Sequence, residues 1–321
     1  MTEQLHANNK MVGLEVSGSL VKVELYPGRL SSKVACLGPE GTYTEEAREV
    51  LLTGNEQHRM QKDFLQKNTE VVEKVDKGEY DIGVIPVENL IEGDVVDVWK
   101  KLVQTKNTSI LAEAIVPIRH MLIGRTNEEI ITILSHEQAL GQSKKFIALN
   151  YPKAVLQETT STAKAVQEIK DMSNAAAIAS RRVALIHKMP ILAENIGDNP
   201  YNATRFYLIG RGETEPTGDD ITTAIIYPQE NRVGMLKDCL TVLAGNNINL
   251  TNIRSYPTSN RMGEFFFLMS FNGHRKDTSV IDALETLKDP KKYNAPSKII
   301  GSYKRAELPE GTVEPGAING N

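Results

Sequence analysis

At 321 residues the chain is long for one domain and comfortable for two, and 40% hydrophobic with 24% charged residues is the composition of a globular protein able to bury real cores. With 37 Lys and Arg against 41 Asp and Glu the formal charge is −4, so no global positive field draws nucleic acid or anionic lipid, and a small-molecule partner is the better reading. Cys36 and Cys239 lie in apolar segments without CxxC spacing, and the six histidines show no HExxH or HxH spacing; buried thiols in a reducing compartment are expected, and a metal site is not.

In chain order, residues 1–32 form an N-terminal extension. Its alternating run Val21-Lys22-Val23-Glu24-Leu25, ended by Pro27-Gly28, predicts an added strand or hairpin. The start carries no basic segment leading into an apolar stretch, and nothing later approaches the ~18 consecutive apolar residues of a membrane helix. A cytoplasmic protein with no membrane partner is expected. From Val34 onward apolar runs alternate with helical patterns: KVACLG then EEAREVLL, DIGVIPV then a helix ending near Lys101, ITILSH then QALGQSKKFIAL, AVLQET then TAKAVQEIK, AAAIAS then RRVALIHK. That rhythm predicts parallel sheets covered by helices. Turn-forming residues cluster in RGETEPTGDDIT, which predicts a linker at 211–221. Beyond it TTAIIYP, NRVGMLKDCLTVLAG, INLTNIRSYP, EFFFLMSF, TSVIDALETLK and SKIIGSY follow the β-α-β-β-α-β order of a ferredoxin-like unit. The Gly-, Pro- and Glu-rich tail, 305–321, is expected to be disordered.

The stretch that asks for a chemical explanation is NPYNATRFYLIG, 199–210, where a turn runs through Thr204, Arg205 and Phe206 into an apolar strand. In open α/β sheets ligands bind at strand ends, beside helix amino termini with free N–H groups. Comparable turns are LGPEGTYTEEA, with Thr42 and Glu45 spaced as a capping box, SHEQALGQ, with Ser135 and Gln138 spaced the same way, TTSTAKAV and VENLIEGDV. A lone Ser, Thr or Asn before a helix is more often a plain cap than a ligand contact. Four such turns together with Thr-Arg-Phe describe a pocket of neutral donors with one obvious cation, Arg205, suited to a small carboxylate. His136 reads as a partly buried histidine. GPEGT lacks the GK[ST] ending of a phosphate loop, so nucleotide binding is set aside.

These stretches carry a family resemblance. GPEGTYTEEA, GVIPVENLIEGDV, SHEQALGQ, STAKAV, AAIAS and NATRFYLIG stand in the order, and near the spacing, of prephenate dehydratases. Residues 222–304, with NRVGML and NINLTNIRSYP, resemble the ACT regulatory domain that follows the catalytic domain in that family. The resemblance implies an α/β catalytic domain at 33–210 with two lobes like those of periplasmic binding proteins, the first rejoined by the chain after the second, and the active site in the cleft between them. It implies an α+β ACT domain of ferredoxin-like order at 222–304. It also implies a carbon–oxygen lyase of phenylalanine biosynthesis that converts prephenate to phenylpyruvate, water and carbon dioxide without metal or organic cofactor.

On the family match Thr204 is the catalytic residue, its hydroxyl stabilising the departing oxygen more than acting as an acid. Arg205 offers a planar fork for the substrate carboxylate that is retained; the one to be lost should not be clamped, because decarboxylation disperses its charge. Phe206 alternates to the other strand face from Arg205 and is as often core as pocket. Thr42, Glu88, Asn89, Ser135, Gln138, Gln142, Ser161 and Thr162 stand at family-motif turns and are expected to bind the remaining substrate oxygens. Leu90 stands where relatives commonly carry Ser or Thr, so one polar contact is expected to be missing. Three alternatives stay open: arogenate as substrate, a non-aromatising prephenate decarboxylase, and, from another class, a non-catalytic small-molecule-binding sensor of the same architecture. An intact Thr204 and the attached ACT-like region argue against the decarboxylase.

The ACT-like region departs from its family. Gly234-Met235-Leu236 replaces the usual Gly-Ala-Leu turn, and Arg254-Ser255-Tyr256-Pro257 replaces Glu-Ser-Arg-Pro. With Asn249 and Leu250, these residues are expected to hold an amino-acid effector, phenylalanine first, with altered affinity or coupling. A lone unit of this kind leaves one sheet face and an edge uncovered, and EFFFLMSF, 264–271, is apolar, so a homodimer or homotetramer is expected.

Overall fold

The computed structural model describes residues 10–16, 19–25, 33–52, 60–125, 129–230, 232–258 and 265–309. The first strands, β1 (Lys10–Val16) and β2 (Ser19–Leu25), pair antiparallel, which is the hairpin anticipated for the extension. A first lobe follows with β3 (Lys33–Leu37), α1 (Tyr43–Leu51), β4 (Gln61–Leu65), α2 (Asn68–Asp76), β5 (Ile82–Asn89), the two-residue β6 (Gly93–Asp94), α3 (Val96–Gln104) and β7 (Ser109–Pro117). Its helices are amphipathic: α1 buries Ala47 and Leu51, four residues apart, and α2 buries Val75 with Val71 and Val72, four and three residues before it.

The chain then crosses to a second lobe made of β8 (Met121–Gly124), β9 (Thr132–Ser135), α4 (Glu137–Gln142), α5 (Lys144–Asn150), β10 (Val155–Glu158), α6 (Thr162–Glu168), β11 (Ala175–Ala179), α7 (Arg181–His187) and β12 (Ile191–Ala193). Five small or branched side chains bury every position of β11, the central strand of the order β10-β9-β11-β8-β12. A second crossing returns to the first lobe as β13 (Ala203–Gly210), which slots between β5 and β7. The two crossings are bonded to each other, Ile118 N–H to the Asn202 carbonyl at 2.8 Å and Ile196 N–H to the His120 carbonyl at 2.9 Å.

The sheets are mixed rather than purely parallel: β13 runs antiparallel to β5 and β7, and β8 antiparallel to β11. The strands responsible follow the crossings, where the chain enters each sheet from the opposite end. The predicted linker is partly strand, since β14 (Gly212–Thr214) pairs with β2. The ferredoxin-like order appears in full as β15 (Asp220–Ile226), α8 (Met235–Gly245), β16 (Leu250–Pro257), β17 (Phe265–Asn272), α9 (Thr278–Lys288) and β18 (Ser297–Lys304), with strand order β16-β17-β15-β18.

The regulatory-type unit is not free-standing. β18 runs parallel beside β7, continuing the first lobe's sheet, and a Cβ on Gly301 would stand 2.4 Å from the Ile110 carbonyl oxygen, so only glycine permits this approach. One face of its sheet packs on its own helices through Met269 and Phe271. The other, with Ile221, Ile225, Phe266, Leu268 and Tyr303, shares a core with Trp99, Tyr207 and Ile110 of the first lobe. The sheet face expected to await a partner is therefore covered in cis; within this unit, among the described residues, the outer edge of β16 is the one without a neighbouring strand. The tail begins in order: Arg305 bonds Asp219 and Asn272, and Ala306 N–H donates to Glu113 at 2.8 Å. The disorder expected from 310 on lies outside the described residues. No helix among the described residues is long and apolar enough to cross a membrane.

Candidate active site

The two crossings and the ends of β5 and β13 meet at Thr204, which is almost buried. Register places it directly opposite Asn89. Two backbone N–H groups, of Ile91 and Glu92, donate to Asn89 Oδ1 at 2.9 and 3.0 Å, so the other end of that carboxamide is its NH2 group. Asn89 Nδ2 then donates to Thr204 Oγ1 at 2.8 Å and to Asn202 Oδ1 at 3.0 Å. Polarity propagates from there. Asn202 Nδ2 donates to Gln142 Oε1 at 3.0 Å, and Gln142 Nε2 donates across the cleft to Glu92 at 3.1 Å. Because Thr204 Oγ1 is the acceptor in its bond with Asn89, its own hydrogen is uncommitted among the described residues.

The wall opposite is built by α1 and its turn. Gly41 adopts φ +91°, and a Cβ there would meet Val183 of α7 at 2.8 Å, so glycine lets the two lobes touch. Ser180 donates to the Gly41 carbonyl at 3.2 Å, and Tyr43 Oη donates to the Arg119 carbonyl at 2.8 Å. The capping box predicted here is only half present. Glu45 reaches back to Gly41 N–H at 2.7 Å, but Thr42 donates to the Leu37 carbonyl at 3.0 Å instead of capping α1. Glu45 is buried and held ionised by Lys62 and Arg182, which outweigh its burial and keep its pKa low.

Arg205 departs from expectation. Strand alternation turns it away from Thr204, and it bonds Glu113 at 2.5 Å and Glu88 at 3.2 Å. Glu88 is thereby also removed from the substrate face. Both line a cavity of about 810 Å³ between the first lobe and the β15–β18 sheet, whose walls include Asn249, Leu250 and Arg254. Phe206 lies on the Thr204 face, but in the core with Val34, Cys36 and Leu51, so it is packing rather than pocket. Burial pushes the Cys36 thiol up to about 12, as suits an inert structural residue.

Other expected ligands divide similarly. Gln142 is in the network. Ser135 is fully buried and donates to the Ile178 carbonyl at 2.6 Å, while His136 Nδ1 accepts the α4 cap bond from Gln138 N–H, so the second capping box, unlike the first, is absent altogether. Gln138 is exposed. Ser161 accepts the α6 cap bond from Lys164 N–H at 3.1 Å, and Thr162 opens the same helix. Leu90 projects into solvent. In the effector segment Met235 is core, Gly234 caps α8 in the left-handed region at φ +87°, Leu236 is partly exposed and Ser255 exposed. Arg254 is committed to the first lobe, pairing with Asp94 and with Glu88 at 3.2 Å and lying 5.2 Å over the Trp99 ring.

Asn202, Glu92, His120 and Arg119 were not anticipated. Asn202 was legible in principle, because it precedes Thr204 by two residues and so shares its strand face. Arg119 reaches the Asn202 carbonyl at 3.5 Å and makes no ion pair among the described residues.

Comparison with known proteins matches residues 34–214 to the family described as prephenate dehydratase and residues 229–289 to the ACT domain. The chain is 35% identical over 279 residues to a bifunctional chorismate mutase/prephenate dehydratase of Pseudomonas aeruginosa, covering 86% of this chain and 74% of that one. It is 32% identical over 292 residues to a prephenate dehydratase of Amycolatopsis methanolica, covering 90% and 93%. Among solved structures it resembles the prephenate dehydratase of Arthrobacter aurescens in complex with L-Phe, with a TM-score of 0.76 at 31% identity over 88% of this chain and 93% of that one.

Proposed function

The chain belongs to the prephenate dehydratase family, a lyase that dehydrates and decarboxylates prephenate, and from that premise we propose a division of labour among its cleft residues. In the reaction the bond from ring carbon to carboxylate breaks, its electron pair enters the ring, and the carbon–oxygen bond para to it breaks to complete aromaticity. Most of the driving force lies in the substrate, and the protein has to stabilise negative charge growing on the departing oxygen. Thr204 does this with the hydrogen left free by its bond from Asn89, and Asn89 strengthens it as a donor by polarising its oxygen. The departing oxygen ends as water with a proton from solvent. That single relation, Asn89 Nδ2 to Thr204 Oγ1 at 2.8 Å, carries the assignment.

Arg205 being held by two carboxylates, the retained pyruvyl carboxylate falls to Arg119, a guanidinium at the carbonyl of Asn202, two residues before Thr204. Gln142, Ser161 and Thr162 complete the second lobe's wall. Catalysis occupies 33–210 and regulation 222–304, with an amino acid, phenylalanine first, as effector of the ACT domain. The described contacts support coupling through Arg254, which ties β16 to Glu88 and Asp94, next to Asn89. A dimer or tetramer pairing along the β16 edge and a cytoplasmic location, consistent with two buried free thiols, belong to the same reading. Mixing the protein with prephenate and following the strong ultraviolet absorbance of phenylpyruvate in alkali tests the function. No such absorbance would overturn it, since neither a binder nor a non-aromatising decarboxylase makes that product.

A further inference from the structure

We propose that His120 is the positioning residue of the cleft, acting through Gln142 to hold the lobe-bridging carboxamide in its substrate-facing orientation. The inference rests on the reading of Gln142 as a substrate contact. His120 sits at the first crossing between lobes, 4% exposed, with the Tyr43 ring set edge-on 6.2 Å away. Its Nε2 lies 2.9 Å from Gln142 Oε1. That oxygen also accepts from Asn202 Nδ2, and the orientation of Asn202 is fixed through Asn89 by the backbone N–H groups of Ile91 and Glu92. His120 is therefore the donor, with its hydrogen on Nε2. Its Nδ1 is buried with no partner among the described residues, and burial depresses its basicity, so the neutral ring is the form present near neutral pH.

With two donors on Oε1, the Gln142 amide cannot turn over, and its NH2 group stays aimed at Glu92 and the cleft mouth. Thr204 is oriented separately, by Asn89 and the backbone at Ile91 and Glu92. Losing His120 therefore loosens the second lobe's grip on the ground state while leaving the leaving-group donor in place. The effect belongs in KM and not in kcat.

The test is steady-state prephenate turnover by the full chain with His120→Gln, His120→Asn and His120→Leu. A glutamine amide reaches the Nε2 position and can donate to Gln142; asparagine reaches only the Nδ1 position; leucine donates nothing. His120→Leu and His120→Asn are expected to raise KM roughly five- to tenfold with kcat within about twofold, and His120→Gln to keep KM within about twofold of the parent. In a Gln142→Leu background, His120→Leu is expected to add nothing further. Unchanged KM in the Asn and Leu variants, a Gln variant no better than Leu, or additive effects in the double variant would each overturn the proposal. Turnover of prephenate by the parent chain reports separately on the functional reading.

Discussion

Arg254 Nη2 lies 3.2 Å from Glu88 Oε1, so a residue of the regulatory β16 grips the residue next to Asn89 on β5. Glu88 and Asp94 stand directly opposite each other across β5 and β6, and two carboxylates in that register repel unless a cation joins them. Arg254→Met is therefore expected to move the ratio of phenylalanine-free to phenylalanine-saturated turnover toward one, while calorimetric heat of phenylalanine binding persists. A variant with parental regulation would remove Arg254 from the coupling path.

Thr204→Ala is expected to lower kcat by ~10²-fold or more with little change in KM, and Thr204→Ser to keep much of the activity. Asn89→Ala, which frees the hydroxyl to rotate, is expected to cost about tenfold in kcat. Near-parental kcat in Thr204→Ala contradicts the assignment.

Two arginines are expected to separate in opposite senses. Arg205→Met leaves the carboxylate of Glu113, 1% exposed, without its cation, a loss of about 3–5 kcal/mol of stability, whereas Arg205 makes no contact on the Thr204 face for KM to report. Arg119→Gln is expected to raise KM tenfold or more at near-parental melting temperature. Denaturation curves and steady-state kinetics on both variants decide it, and a KM effect confined to Arg205 reverses the roles.

Burial drives His120 and His274 below the ordinary histidine value of 6.5. Below that value the unfolded chain binds more protons than the folded one, so their contribution is present above pH 6.5 and is lost as pH falls. Neither ring has room for a second proton: His120 Nδ1 has no acceptor among the described residues, and His274 Nδ1 already accepts Lys276 N–H at 3.2 Å. The melting temperature is expected to fall from about pH 7 toward pH 5, less steeply in His120→Gln. A level or rising profile in the parent contradicts this.

Sedimentation at micromolar concentration is expected to show a multiple of the 35.5 kDa chain. A monomer would mean that the β16 edge stays unpaired, which is physically possible because the apolar sheet face is already covered by the first lobe.

Periodicity was enough for the helices and for the ferredoxin-like order, because each amphipathic face has one core to meet. It did not reveal β7 and β8: each is a mostly apolar run without clean alternation, and such a run is not told from a buried helical segment by its period alone. Thr204 draws attention by its place at a strand end, and its catalytic role is an expectation of the family match. Its neighbour Arg205, one residue on, faces the opposite side of the strand and meets Glu88 and Glu113 instead of the cleft. Asn202 and Gln142 converge only through the second crossing, a contact across 60 residues that no local pattern encodes.

The close approach at Gly301 has a thermodynamic meaning for the whole chain. Tyr207, three residues beyond Thr204, accepts from Tyr303 Oη at 2.9 Å, and Tyr303 in turn meets Thr223, so the two halves are stitched by buried hydroxyls as well as by apolar contact. Severing the polypeptide after β14 would strip β7 of β18 on its outer side and lay Trp99 and Tyr207 open to water, turning an interior into a sticky surface. The two units are thus expected to melt as one cooperative body, and heat or truncation that loosens the second reaches β13, the strand that carries Thr204.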